Sequence, residues 1–145
     1  MKPFPHHYSA SATANPEDNV ATTSEDLPII PVAAPADFGG PGDQWSPETL
    51  LMAAVADCFV LSFRAVATAM KLDWLEVDCK ADGVLDKVDR KIKFTDVLTT
   101  VRLTIPASAD KASAEKVLTK SHSTCLVSNS LNCETRLAFT IEQSA

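Results

Sequence analysis

From Leu50 to Met70 the chain runs through apolar residues, interrupted by full charges only at Asp57 and Arg64. A stretch of this length has to be one long helix, and a helix that is apolar nearly all round has to be buried. It is long enough to span a bilayer. However, Asp57 and Arg64 are expensive in hydrocarbon, and Ser46-Pro47-Glu48 opens the segment as a soluble helix opens. Ser46 suits the N-cap, Pro47 the first helical position, and Glu48 the positive end of the helix dipole. The rest of the fold must therefore be built around a central helix running from Pro47 to about Lys71.

The flanking segments differ in kind. Eight of the nine prolines lie at or before Pro47, and three of the four glycines fall in Phe38-Gly-Gly-Pro-Gly-Asp43, a turn-rich linker. Residues 6–13 alternate weakly as a strand, 15–26 read as a polar loop, and 27–32 form an extended or edge segment broken by Pro28 and Pro31. After the helix, Leu75 to Leu85 alternates Leu75, Val77, Cys79 and Ala81 against Glu76, Asp78, Lys80 and Asp82. That predicts a strand with one wet face. Residues 86–91 turn the chain, Ile92 to Ile105 returns as a second strand, and Pro106 ends it. Asp110 to about His122 is an amphipathic helix through Ala114, Val117 and Leu118, and Glu134 to Glu142 closes as a strand. The order is α+β: a single domain with N-terminal strands and linker in residues 1–45 and a helix-strand-strand-helix-strand core in 46–145. No internal repeat or low-complexity tract is present.

At 145 residues and 46% hydrophobic, the chain can bury a sizeable core. Its net charge of −6 excludes nucleic acid and an anionic membrane surface as main partners, since both require a basic face. The N-terminus, Met-Lys-Pro-Phe-Pro-His-His-Tyr, has no apolar secretory segment. Four cysteines without dense spacing suit a reducing, cytoplasmic compartment better than a disulfide scaffold.

Cys58 lies deep in the apolar helix and reads either as a small buried hydrophobe or as a reactive thiol. Cys125 sits in Ser121-His-Ser-Thr-Cys-Leu-Val-Ser-Asn129, a polar stretch with His122 nearby, and reads either as a reactive thiol or as an idle loop cysteine. Cys79 falls on the apolar face of its strand and is expected in the core, Cys133 just before the last strand is expected to be buried or idle, and neither is expected to pair with Cys58 or Cys125. Asp57 is expected to point away from Cys58. Adjacent His6 and His7 face apart on a strand, and no ligand cluster has a recognised spacing, so no metal and no cofactor is expected.

Trp45-Ser-Pro-Glu-Thr-Leu-Leu-Met-Ala-Ala-Val-Ala-Asp-Cys-Phe59 resembles the segment of the OsmC/Ohr family in which a proline-glutamate pair opens the central helix and a cysteine follows ten residues on. Gly39-Gly-Pro-Gly42 is similar to the approach to that helix, and Cys125-Leu-Val-Ser-Asn-Ser-Leu131 to the second cysteine motif; together the similarity spans about residues 38–142. The resemblance implies an intertwined homodimer with an antiparallel sheet and interfacial sites. It implies reduction of organic hydroperoxides or hydrogen peroxide, with Cys58 as the attacking thiol and Cys125 as the resolving one. Glu48 would be the carboxylate that holds a cation near the thiol, and a dithiol such as a lipoyl group the reductant. Its alternative is a non-enzymatic relative that binds a small apolar ligand or senses redox stress. A disulfide requires Cα atoms within about 7 Å, so the resemblance also requires Cys58 and Cys125 to meet in the fold. One departure stands out. The family supplies an arginine from the N-terminal region, whereas here none precedes Arg64, and only Lys2, His6 and His7 are cationic there. Glu48 lies about 15 Å from Cys58 along a straight helix, so the carboxylate acts through a bridging cation or across a break in the helix.

Overall fold

The computed structural model describes residues 1–145, which divide into two compact units, 1–50 and 51–145. In the first unit, β1 (Ser11–Thr13), β2 (Val20–Thr23) and β3 (Ile30–Val32) form an antiparallel sheet in that order. β2 lies inside the stretch expected to be a polar loop. Its Val-Ala-Thr-Thr sequence is β-branched, and the Asn15 side chain folds the preceding turn by accepting the N–H groups of Glu17 and Asp18. Pro31 pairs opposite Ala21 in the outermost strand, where its missing N–H breaks no ladder. A short 3₁₀ turn, Ala36–Phe38, follows. Beyond it the Gly40 N–H donates to the Pro35 carbonyl at 3.0 Å, and a Cβ on Gly40 would collide with the Ala34 carbonyl oxygen. Only glycine fits so close an approach.

Helix α1 spans Pro47–Ala69 without interruption. Ser46 and Thr49 cap it reciprocally: the Thr49 N–H donates to Ser46 Oγ (3.1 Å) and the Ser46 N–H to Thr49 Oγ1 (2.9 Å). It ends in a Schellman motif, the Leu72 N–H reaching the Ala67 carbonyl and the Lys71 N–H that of Thr68. Lys71 takes the left-handed conformation this requires, at φ 55°.

In the second unit, β4 (Glu76–Val88) and β5 (Lys91–Ile105) form a long antiparallel hairpin. Its two-residue turn places Asp89 and Arg90 at positive φ, as the right-handed twist of the strands demands. Helix α2 (Lys111–Thr124) starts at Asp110, whose carboxylate accepts the Ser113 N–H (2.9 Å) and hydroxyl (2.8 Å). A single turn, α3 (Leu126–Asn129), precedes β6 (Glu134–Gln143). β6 pairs with β5 in parallel, so the sheet β4-β5-β6 is mixed where an antiparallel one was expected. The cause is the helical crossover, which carries the chain back to the start of β5 before it re-enters the sheet. Arg136 locks this register by donating from Nε and Nη2 to Asp96 at 2.9 and 2.8 Å.

The core packs Phe59, Phe63 and Ala67 of α1 against Val101, Leu103 and Ile105 of β5 and Ala114, Val117 and Leu118 of α2. α1 also crosses the hairpin closely enough that a Cβ on Gly83 would sit 2.6 Å from Met52 Sδ. The helix was expected to be buried all round. In the single chain it buries one stripe, Val55, Phe59, Phe63 and Ala67, while Leu61 is 60% exposed. Its length and hydropathy would suit a membrane span. Here they serve a helix with one face in a protein core and with Asp57 and Arg64 exposed.

Lys71 holds a backbone conformation that disfavours any side chain. Lys71→Gly is therefore expected to stabilise the protein by about 0.5–1 kcal/mol, read as a higher urea midpoint at unchanged slope. An unchanged or lower midpoint would remove the strain argument.

Candidate active site

Cys58 sits on α1 one residue before Phe59, whose ring is fully buried in the core. Phe59 fixes the helix rotation, which leaves Cys58 at the margin of the core, half-buried. Cys125 comes from the junction of α2 and α3, in extended conformation, and is 1% exposed. Its N–H donates to the His122 carbonyl at 3.3 Å and its carbonyl accepts the Asn129 N–H at 2.9 Å, so both backbone groups are held. The structure brings Cys58 and Cys125 into the same region, near enough for each thiol to influence the other, and both are free.

Burial is the main force raising the Cys125 pKa above the ordinary thiol value. The hydroxyl and N–H of Ser128 face the sulfur and oppose this by favouring the thiolate, while nearby Cys58 adds to the rise. Cys125 therefore retains its proton at neutral pH. Ser128, three residues after Cys125, was not singled out in the sequence.

Cys79 lies in the core, as expected from the apolar face of its strand. It faces inward from β4 opposite Val101 and packs against the core, where it lies within electrostatic range of Cys125. Desolvation pushes its pKa up to about 12, assisted by the negative charge available at Cys125, Asp78 and Asp57. Asp57 is solvent-exposed, yet its charge reaches the strand. Cys79 on β4 and Cys125 at the α2–α3 junction thus lie near one another, and both are held toward the protonated form by burial. Cys133, half-buried before β6, has no part in this group.

The remaining candidates lie elsewhere. The His122 ring is directed to the Thr135 carbonyl (3.4 Å), and Arg64 is exposed and makes no ion pair. His6 Nε2 contacts the Lys2 carbonyl at 2.8 Å while its ring stacks on Phe4. Glu48 occupies the first turn of α1, and its Oε2 is buried without a hydrogen-bond partner. Since α1 is continuous, no break in the helix shortens the distance from Glu48 to Cys58.

The profile of the OsmC-like protein family matches residues 40–140, and the chain belongs to that family. It is similar to the uncharacterised protein YmaD of Bacillus subtilis, at 21% identity over 94% of this chain and 95% of that one. The organic hydroperoxide resistance protein of Xanthomonas axonopodis pv. citri is 28% identical over 84% of this chain and 85% of the other. Among solved structures, an OsmC-like protein of unknown function from Vibrio cholerae superposes with a TM-score of 0.86 at 18% identity, covering 94% of this chain and all of that one.

The raised Cys79 pKa has a signed consequence. Between the ordinary thiol value of 9.0 and about 12, the folded protein holds a proton that the unfolded chain releases. Stability is therefore full below pH ~9 and falls as pH rises through that window. Cys79→Val should show a shallower loss of urea midpoint above pH ~9 than the parent, the remaining slope coming from Cys125. Identical slopes would mean that Cys79 is not the protonated group described.

Proposed function

We propose that the protein is a cysteine-based peroxidase that reduces organic hydroperoxides through a Cys58–Cys125 dithiol/disulfide cycle. The observation that supports the reading is the proximity of these two thiols in an OsmC-like chain. The Cys58 thiolate attacks a peroxide oxygen, the O–O bond breaks, and the alkoxide leaves with a proton as alcohol. Cys58 becomes a sulfenic acid. The Cys125 thiol then attacks that sulfur, forming the disulfide while hydroxide leaves with the Cys125 proton as water. Adjacent placement matters because an uncaptured sulfenic acid oxidises further and irreversibly. An external dithiol, such as a lipoyl group, returns two electrons and two protons to restore both thiols.

Within this reading Glu48 is the carboxylate that holds a cation near the attacking thiol. No arginine is available for that task before Arg64, so the cation must have another source. The protein works as a homodimer in the cytoplasm. Support for the dimer is the apolar face of α1 left wet by the single chain, with Leu61 and Met70 exposed. A second reading, a non-enzymatic binder of small ligands, is favoured by the unpartnered Glu48 carboxylate.

One equivalent of cumene hydroperoxide added to reduced protein should consume two thiols per chain as a Cys58–Cys125 disulfide. Cys125→Ser should instead leave Cys58 as a sulfenic acid that dimedone labels, and Cys58→Ser should lose none. Retention of every thiol in the parent protein would overturn the peroxidase reading and leave the binder. Sedimentation at micromolar concentration should show a dimer; a folded monomer there would count against the interface.

A further inference from the structure

We propose that Met52 is a site of oxidation by hydroperoxides, and that its sulfoxide releases the outer part of the β4–β5 hairpin from α1. The inference adds a second target for the oxidant class named above, and the thiols take no part in it. The Met52 thioether lies directly on the Gly83 backbone of β4: a Cβ there would come within 2.6 Å of its Sδ and 3.0 Å of its Cε. The same Cβ would come within 2.8 Å of Phe94 Cε1, so sulfur and ring share the space over a residue that has no side chain. A bulge brings Phe94 there. Val84 pairs with Asp96 and Leu85 with Phe94, which leaves Thr95 unpaired and turns Phe94 onto the face that carries Gly83. Beyond this seam the hairpin has little cover, and Leu85 and Ile92 are exposed.

A thioether is a soft nucleophile that peroxides oxidise where they can reach it. Met52 is half-buried, so an oxidant reaches it without unfolding the chain. It stands six residues before Cys58 on α1, a rise of about 9 Å, so hydroperoxide delivered to that thiol is also delivered near this sulfur. In the step, the sulfur lone pair attacks the terminal peroxide oxygen, the O–O bond breaks, and the alkoxide leaves with the peroxide proton as alcohol. The sulfur ends as a sulfoxide, two electrons poorer. A sulfoxide oxygen held against the Phe94 ring loses its water and gains no hydrogen-bond donor from that ring. The oxidised side chain is therefore more stable swung out to solvent, which removes the sulfur–aromatic contact and empties the seam. Met1 and Met70 are exposed, so their oxidation puts no polar atom into a packed contact. They serve as internal controls for access.

The experiment treats the full-length protein with excess cumene hydroperoxide, restores its thiols with dithiothreitol, and then reads two quantities. Peptide mass spectrometry gives the gain of one oxygen at each methionine, and amide hydrogen exchange gives the opening of residues 84–94. Met52 should carry the oxygen, and exchange across 84–94 should rise about tenfold while residues 97–105 stay protected. Met52→Leu keeps the apolar volume without the sulfur and should show no such rise after the same treatment. Gly83→Ala is an independent variant whose methyl displaces the thioether. Its residues 84–94 should exchange faster before any oxidant is added, and its Met52 should oxidise faster than in the parent protein. Met52 left unoxidised while Met70 is oxidised, unchanged exchange at full Met52 oxidation, or an equal rise in Met52→Leu would overturn the proposal. So would Met52 oxidation that Gly83→Ala fails to accelerate. The thiols are reduced again before exchange is read, so their consumption or retention bears on the peroxidase reading alone.

Discussion

The second unit depends on one stripe of side chains. Val55, Phe59, Phe63 and Ala67 recur every fourth residue along α1, and three of them sit on Val101, Leu103 and Ile105 of β5. Buried groups of this size are each worth about 1.5–3 kcal/mol, and aromatic truncation there would cost about 3–5. Seating Phe59 and Phe63 fixes the rotation of the helix to within a fraction of a turn. Everything chemically interesting on α1 follows from that rotation: Cys58 is brought to the edge of the core, Asp57 and Arg64 are left in water, and Leu61 faces outward.

The same packing separates the environments of the thiols. Cys125 lies in a closed junction where both its backbone groups are bonded and Ser128 tempers the effect of burial. Cys79 lies on a strand where burial and the nearby negative groups together hold its proton, with no hydrogen bond favouring its thiolate. Chemically identical side chains on three elements thus differ through solvation and the sign of nearby charge. Cys58 and Cys125 are brought near one another by the tertiary fold, not by sequence proximity.

Local signals were legible where one element's chemistry suffices. Ser46, Pro47 and Glu48 marked the start of α1, the alternation of Val77, Cys79 and Ala81 marked β4, and Asp110 marked the cap of α2. β2 was hidden because Val20 to Thr23 is short and embedded in polar residues, and α3 because one turn has no period to detect. The parallel entry of β6 could not be read, since its own alternation is the same in either direction. The resemblance singled out Cys58, Cys125 and Glu48, and the inward face of Cys79 was legible from its strand. That Cys79 shares a neighbourhood with Cys125, and that Glu48 lacks a partner, are tertiary facts with no local signature.

The parallel pairing of β6 also bears on how the molecule assembles. The β4–β5 hairpin closes through Asp89 and Arg90 alone, whereas β6 meets β5 only after the stretch from Pro106 to Cys133 has been threaded across. Loop-closure entropy penalises the longer connection, so the hairpin is the cheaper contact to form early and β6 the later one. Cys125 rides on that crossover just after α2, whose Ala114, Val117 and Leu118 pack against α1 and β5. The two thiols, 67 residues apart, meet only once the chain has closed that long connection far enough to seat α2 on α1, a larger loop than the hairpin requires.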